Sequence, residues 1–265
     1  MRIGFIGTGN MGSALAIAAA KTGAKLFLNN RTMGKAEILA DQLGCETASA
    51  REIAQLCDYI FLGVKPQMMG DLLSALAPTL RERTSPFVLV SMAAGLTMDT
   101  LRKMADGNYP VIRIMPNTPV AVGCGVILYD TTENVTREAL SGFCNALSKA
   151  GLVDHLPEAL MDAGSAVSGC GPAFVSMFLE SLADGGVACG LPRQKAVAYA
   201  AHTLLGTAQL LLETGKHPGQ LKDEVCSPGG STIQGVKALE NGALRATVIS
   251  AVQAAHTRNK ELGKA

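Results

Sequence analysis

Ile3-Gly4-Phe5-Ile6-Gly7-Thr8-Gly9-Asn10-Met11-Gly12 opens the chain with a short apolar run, then G-x-G-x-x-G, then an Ala-rich stretch. Few folds accommodate that order. A strand feeding a glycine turn and a helix is the start of a dinucleotide-binding βαβ unit. Gly7 permits the tight turn, Gly9 lets the backbone approach a pyrophosphate, and Gly12 lets strand and helix pack closely. The phosphates would rest on the free N–H groups at the helix N-terminus. An ordinary glycine turn is the alternative, but a strand before the motif, a helix after it and a second strand ending near residue 29 favour the cradle. Ile6, Gly7, Thr8, Gly9, Asn10, Met11 and Gly12 are therefore candidate cofactor contacts.

The remainder of the first half follows the same rhythm. Apolar, mostly β-branched runs at 2–6, 25–28, 59–64, 87–91, 111–115, 126–129 and 152–155 alternate with helical stretches such as 12–22, 34–43 and 137–149. Ser49-Ala50-Arg51-Glu52 reads as a capping box opening another short helix. Strands alternating with helices predict a parallel sheet covered on both faces. After Pro157 the strand signal stops, and 158–168, 173–190, 193–214 and 235–262 read as helices with Gly/Pro/Ser breaks between them. The expected organisation is a doubly wound, Rossmann-like α/β domain over 1–156 and an all-α domain over 157–265.

The helices of the second half are unusual. Residues 173–182 and 196–212 have almost no polar face, and about 110 residues cannot bury that much apolar surface alone. Self-association through the helical domain follows as the economical expectation. The stretch 196–212 is the most membrane-like by this reading, but it carries His202, Thr203, Thr207 and Gln209. It also falls short of the roughly 20 apolar residues that a span needs. No membrane partner is expected. The charges nearly cancel, 23 Lys+Arg against 22 Asp+Glu, with few aromatics and no Trp, so nucleic-acid binding is set aside. Seven scattered cysteines without a C-x-x-C pair point to a reducing, cytoplasmic setting and to no structural metal. The N-terminus shows no signal-peptide pattern.

The end of the second strand addresses which dinucleotide. NAD sites place a carboxylate there, on the ribose 2′-OH. Here the residues are Asn29-Asn30-Arg31-Thr32. Arg31, with Asn30 beside it, can pair with a 2′-phosphate; the other reading is a solvated surface charge. NADPH is favoured, with NADH left open. Two further strand ends border the same crevice: Val64-Lys65-Pro66-Gln67 and Ala93-Ala94-Gly95. Lys65 either contacts the cofactor or caps a strand end. Asn117, bracketed by Pro116 and Pro119, either lines the nicotinamide pocket or holds the turn with its amide.

In the second half, Ser168-Gly169-Cys170-Gly171-Pro172 offers a Gly-rich helix start, with Gly171 a candidate ligand contact or simply part of a break. Ser227-Pro228-Gly229-Gly230-Ser231-Thr232 is sharper. Its glycines remove side-chain obstruction before a helix whose N–H groups suit a carboxylate, and its hydroxyls can donate or accept. The alternative is a turn and an N-cap supplied by Ser231 or Thr232.

Taken together, Gly7–Gly12, Val64-Lys65-Pro66, Met115–Pro119, Ser168–Pro172 and Leu221–Thr232 resemble the Δ1-pyrroline-5-carboxylate reductase family over essentially the whole chain. The resemblance implies NAD(P)H-dependent reduction of 1-pyrroline-5-carboxylate to L-proline, and dimers with interleaved helical domains, commonly assembled into a ring of dimers. It implies that Thr232 is the catalytic residue, hydrogen-bonding the imine nitrogen. Ser227, Gly229, Gly230, Ser231 and Gly171 would be substrate contacts. Cys170, where the family usually has Ser, and Phe174, often Tyr, are local departures that keep approximate size. A β-hydroxyacid dehydrogenase would need a catalytic Lys at position 175, which is Val175, and no Lys occurs between Lys149 and Lys195. A non-catalytic NADPH sensor would be expected to have lost the Ser227–Thr232 loop, which is intact.

Overall fold

The computed structural model describes residues 1–263, which divide into two compact units: 1–170 together with the described residues from 255 on, and 171–254. The first unit is built on an eight-stranded sheet in the order β3-β2-β1-β4-β5-β6-β7-β8. The strands are β1 (Arg2–Ile6), β2 (Lys25–Asn29), β3 (Glu46–Thr47), β4 (Tyr59–Leu62), β5 (Val88–Ser91), β6 (Val111–Pro116), β7 (Gly125–Thr131) and β8 (Gly151–His155). Helices α1 (Asn10–Ala20), α2 (Met33–Leu43), α3 (Ala50–Leu56), α4 (Met69–Glu82), α5 (Met98–Met104), α6 (Arg137–Leu147) and α7 (Met161–Ser168) complete it.

All neighbouring strands run parallel except β6 and β7. That pair departs from the expected all-parallel sheet because only residues 117–124 join it, too few for the crossover that a parallel return requires. Strand β4 shows how the sheet supports two cores. Tyr59 and Phe61 point into the layer with α1 and α6, while Ile60 and Leu62 enter the layer with α3 and α4. All four are buried, so the strand reads as a continuous apolar run rather than an alternating one. Phe5 stacks on Phe61 at 4.5 Å between ring centroids, fixing β1 against β4. These two strands bracket the point where strand order reverses, and an open α/β sheet binds ligands outside the carboxyl ends there.

Local signals explain most helix starts. Ser49 accepts the Glu52 N–H on its hydroxyl at 3.1 Å, and Glu52 accepts the Ser49 N–H at 2.7 Å, so the expected capping box is formed. Residues 156–170 stay with the sheet. Buried Met161 and Ala166 tie α7 to the first unit, so the compact division falls at 170/171.

The second unit contains α8 (Gly171–Ala188), α9 (Arg193–Thr214), α10 (Pro218–Glu224), α11 (Ser231–Asn241) and most of α12 (Leu244–Leu262). Helices α8 and α9 meet through small residues, Ala183, Ala196 and Ala200 being buried. A Cβ on Gly186 would stand 3.3 Å from that of Ala196. The single helix expected over 235–262 is two. It begins earlier, at Ser231, and breaks at Gly242-Ala243, where Ala243 takes a left-handed φ of 54°. Helix α10 has no counterpart among the expected elements; His217 caps it, Nδ1 accepting the Gly219 N–H at 3.1 Å, with Pro218 at the first position.

Candidate active site

Building from β1 upward, Ile6 places its side chain in the core and accepts the Gly63 N–H on its carbonyl at 2.8 Å. Gly7 turns the chain at φ 103°, and a Cβ there would lie 2.6 Å from the Gly63 carbonyl oxygen. Gly63 is equally constrained, since its own Cβ would stand 2.4 Å from the Gly7 oxygen. Nothing in the sequence singles out Gly63, because it lies in no motif; the contact depends on β1 and β4 being neighbours. Gly12 closes the same cluster. Gly9 is the opposite case, with nothing within 4 Å of a Cβ, so its open side is free for a ligand.

Helix α1 starts from Gly9 without a side-chain cap, and Ser13 donates its N–H to the Gly9 carbonyl at 2.8 Å. The N–H groups of Asn10, Met11 and Gly12 precede that bond and have no helical acceptor. Above them lies a cavity of about 580 Å³ bordered by Thr8, Gly9, Asn10, Asn30, Arg31 and Lys35, among others. None of its lining residues is acidic. Thr8 is buried, and its hydroxyl oxygen has no partner among the described residues. An uncapped helix start, an open Gly9, an unpartnered buried hydroxyl and two cations fit the phosphates of a dinucleotide.

The other expected contacts are placed differently. Val64, Lys65, Pro66, Gln67, Ala93, Ala94, Gly95 and Asn117 do not line this cavity. They follow the carboxyl ends of β4, β5 and β6. Lys65 is exposed and precedes a short 3-10 turn over Pro66–Met68 without a side-chain cap bond. Ala93 turns into the core layer and Ala94 is exposed. Gly95 has φ 78°, and a Cβ there would come within 2.9 Å of the Leu262 carbonyl oxygen. For Asn117 the geometry favours the turn-holding reading. Its Nδ2 donates to the Ser168 carbonyl at 2.9 Å and its Oδ1 accepts the Val126 N–H at 2.8 Å, so both ends of the buried amide are occupied.

Arg113 carries no motif in the sequence, yet it is a buried cation, its side chain 5% exposed. It pairs with Glu158 at 2.9 Å; the same Glu158 oxygen accepts the Met98 N–H, and the Glu158 N–H donates to Asp130. This joint ties the chain after β8 to β6, β7 and the start of α5. Only the fold could reveal it, because its partners are tens of residues apart.

In the second unit, Gly229 adopts φ 70° and Gly230 donates its N–H to the Ser227 carbonyl at 3.0 Å, forming the tight turn before α11. Gly230, not a hydroxyl residue, is the N-cap. Ser231 and Thr232 therefore occupy the first turn of the helix, which removes the reading in which either merely caps it. Among the described residues none bonds the hydroxyls of Ser227, Ser231 or Thr232, which lie in an exposed or half-buried loop and helix start. Gly171 begins α8 with open space around a would-be Cβ. Lys222 and Asp223 pair with each other, and the neighbouring carboxylate holds the Lys222 ammonium above its usual range.

The apolar helices also lie open in the single chain. A groove of about 890 Å³ between α8, α9, α11 and α12 is lined by Met177, Phe178, Leu182, Tyr199, Leu239 and Val248, among others. Met177 is 68% exposed. By length and composition, residues 158–188 are apolar enough to cross a membrane, a correction to the expectation that 196–212 would be the most membrane-like stretch.

A mainly parallel doubly wound sheet, with a glycine cradle at its reversal point and an apolar helical unit after it, defines a Rossmann-type NAD(P)-dependent oxidoreductase. Residues 2–95 match the family model described as NADP oxidoreductase, coenzyme F420-dependent, and 158–262 match pyrroline-5-carboxylate reductase dimerisation. The Escherichia coli (strain K12) pyrroline-5-carboxylate reductase is 38% identical over 99% of this chain and 98% of its own length. The crystal structure of Plasmodium falciparum pyrroline carboxylate reductase with NADP bound superposes with a TM-score of 0.86 at 33% identity, covering 99% of this chain and 98% of that one. A pyrroline-5-carboxylate reductase from Coxiella burnetii gives a TM-score of 0.90 at 31% identity, covering 98% and 97%. The chain belongs to the pyrroline-5-carboxylate reductase family, and it self-associates through its helical domain.

Proposed function

We propose that the protein reduces 1-pyrroline-5-carboxylate to L-proline with NADPH, NADH serving as the weaker alternative. The observation that carries this reading is the Ser227–Thr232 loop, three uncommitted hydroxyls on a glycine-capped helix start, in a chain that aligns with the reductases from end to end. The free N–H groups after Gly229 and Gly230, with the Ser227 and Ser231 hydroxyls, hold the substrate carboxylate. Gly171 leaves room for the ring. Thr232 donates or accepts a hydrogen bond at the imine nitrogen and so fixes the face presented for reduction. When bound, the reduced nicotinamide supplies a hydride to the imine carbon.

No histidine or unpaired acid is required of this site. A protonated imine is already electrophilic, and a threonine hydroxyl is a poor acid, so Thr232 orients rather than titrates. Ile6, Gly7, Thr8, Gly9, Asn10, Met11 and Gly12 carry the pyrophosphate side, Asn30 and Arg31 the adenosine side. Val64–Gln67 and Ala93–Gly95 border the nicotinamide side, with Asn117 holding the adjoining turn. The exposed apolar groove is covered by a second copy in a dimer, and dimers assemble further into a ring. The protein works in the cytoplasm, without nucleic-acid or membrane partners.

The test is absorbance at 340 nm with purified protein, NADPH and 1-pyrroline-5-carboxylate, NADH being run in parallel. Oxidation with stoichiometric proline is the expected result. Tight NADPH binding with no oxidation would overturn the assignment of substrate while leaving the cofactor site standing.

A further inference from the structure

Resting on the reading above, in which Ala93–Gly95 border the nicotinamide, we infer that the C-terminal turn of α12 positions this loop for hydride transfer, and that Asn259 is the positioning residue that holds the turn in place. Helix α12 changes allegiance along its length: up to residue 254 it belongs to the second unit, and from 255 on to the first. Within the first unit its end is fixed at two points. Asn259 donates from Nδ2 to the Asp162 carbonyl at 3.1 Å, and the Gly263 N–H closes the last turn on the Asn259 carbonyl at 3.2 Å. The Leu262 carbonyl oxygen and the Gly263 Cα then stand where a side chain at position 95 would go, 2.9 and 3.1 Å from a Cβ there.

The loop depends on support from outside. Residues 92–97 join β5 to α5 without helix or strand of their own. Ala93 is anchored in the core, and buried Met98 opens α5 with its N–H donated to Glu158 at 2.9 Å. Between these anchors the chain turns through Gly95 at φ 78°, and the end of α12 is packed against that turn. The contact is backbone against backbone, so no side chain can swing aside to absorb a shift. Glu158 and Asp162 lie four residues apart, so one short segment after β8 holds both the far end of the loop and the end of α12. A helix end frays unless it is tied down, and Asn259 supplies the tie. The cavity on the adenosine side is lined by none of these residues. Releasing the end of α12 therefore disturbs the nicotinamide side alone, where a displacement of about 1 Å slows hydride transfer.

The test pairs steady-state kinetics on 1-pyrroline-5-carboxylate with calorimetric binding of 2′,5′-ADP, which carries the adenosine side of the cofactor and no nicotinamide. Asn259→Ala should lower kcat about five- to tenfold, the scale of one lost hydrogen bond, with NADPH and with NADH alike. Its affinity for 2′,5′-ADP should change by less than about twofold. Asn259→Asp, of the same size but without the donor, should lose at least as much rate, and Asn259→Gln, which keeps the amide, should recover part of it. A wild-type kcat in both Asn259→Ala and Asn259→Asp overturns the inference. So does an equal loss of kcat and of 2′,5′-ADP affinity, which would make Asn259 a residue of general stability. A wild-type protein that binds 2′,5′-ADP but leaves 1-pyrroline-5-carboxylate unreduced would instead overturn the proposed reaction, and the inference would fall with it.

Discussion

The carbonyl oxygen of Gly7 occupies the space that a side chain at Gly12 would need: a Cβ there would stand 2.2 Å from it. The fingerprint is thus a packed joint on one side and an open cradle on the other, because Gly9, between the two, faces empty space. The same residue type serves two purposes, and they can be separated experimentally.

Gly12→Ala must push the Gly7 turn away from α1, an overpacking that costs about 1–3 kcal/mol. For a chain of this length that lowers the melting temperature by roughly 2–4 °C per kcal/mol. Gly9→Ala should melt with the wild type but bind NADPH at least about tenfold more weakly, since its methyl group enters the pyrophosphate space. Thermal melts and NADPH titrations of the two variants check this; a wild-type melting temperature for Gly12→Ala would sink it.

Thr232→Ala should reduce kcat about five- to thirtyfold, the worth of one positioning hydrogen bond of about 1–2 kcal/mol. NADPH affinity should hold, because Thr232 belongs to the substrate loop. Thr232→Ser, which keeps the hydroxyl, should recover most of the rate. Steady-state kinetics with both variants decide the matter, and an unaltered rate in Thr232→Ala would remove the residue from the catalytic account.

Alkaline pH should destabilise the first unit through Cys57. Burial, the largest cause, pushes this thiol from 9.0 up to about 12, with Arg83 opposing and Asp58 adding to the rise. The folded chain therefore keeps a proton that the unfolded chain loses, so stability is full below pH 9 and falls as pH rises toward 12. The slope from this one group reaches at most about 1.4 kcal/mol per pH unit. Cys57→Ala should lose less stability than the wild type between about pH 8 and pH 10 in urea melts. Equal losses would show that the thiol does not control that slope.

Met177→Lys places a charge on the exposed wall of the apolar groove. It should leave the single chain folded, because Met177 is 68% exposed, but weaken self-association by about 2–4 kcal/mol, the cost of covering an unpaired charge. Met177→Leu should associate normally. Sedimentation velocity across a dilution series reads the difference, and an undisturbed oligomer would place Met177 outside the interface.

Much of this protein is legible from its residues alone. Gly7, Gly9 and Gly12 announce their turn because a positive φ and a missing Cβ are properties of one residue at one position. Strand alternation up to 155 and its disappearance afterwards reveal two kinds of architecture, since a sheet buried on both faces needs uninterrupted apolar runs. Apolar helices without a polar face reveal that the chain self-associates. The tight turn before a helix at Ser227–Thr232 is also visible in its Pro-Gly-Gly composition.

What the sequence could not carry is the fate of each polar group, which depends on neighbours far along the chain. Asn117 looks like a ligand contact until its amide is seen bonded to Ser168 and Val126. Arg113 looks like a strand residue until it meets Glu158. Gly63 has no motif, yet the Gly7 turn exists only because Gly63 lacks a side chain. Backbone conformation is decided locally, residue by residue, and so can be read from the sequence. Whether a hydrogen-bonding or charged group is consumed by the protein or left for a ligand is decided by what the tertiary fold brings against it.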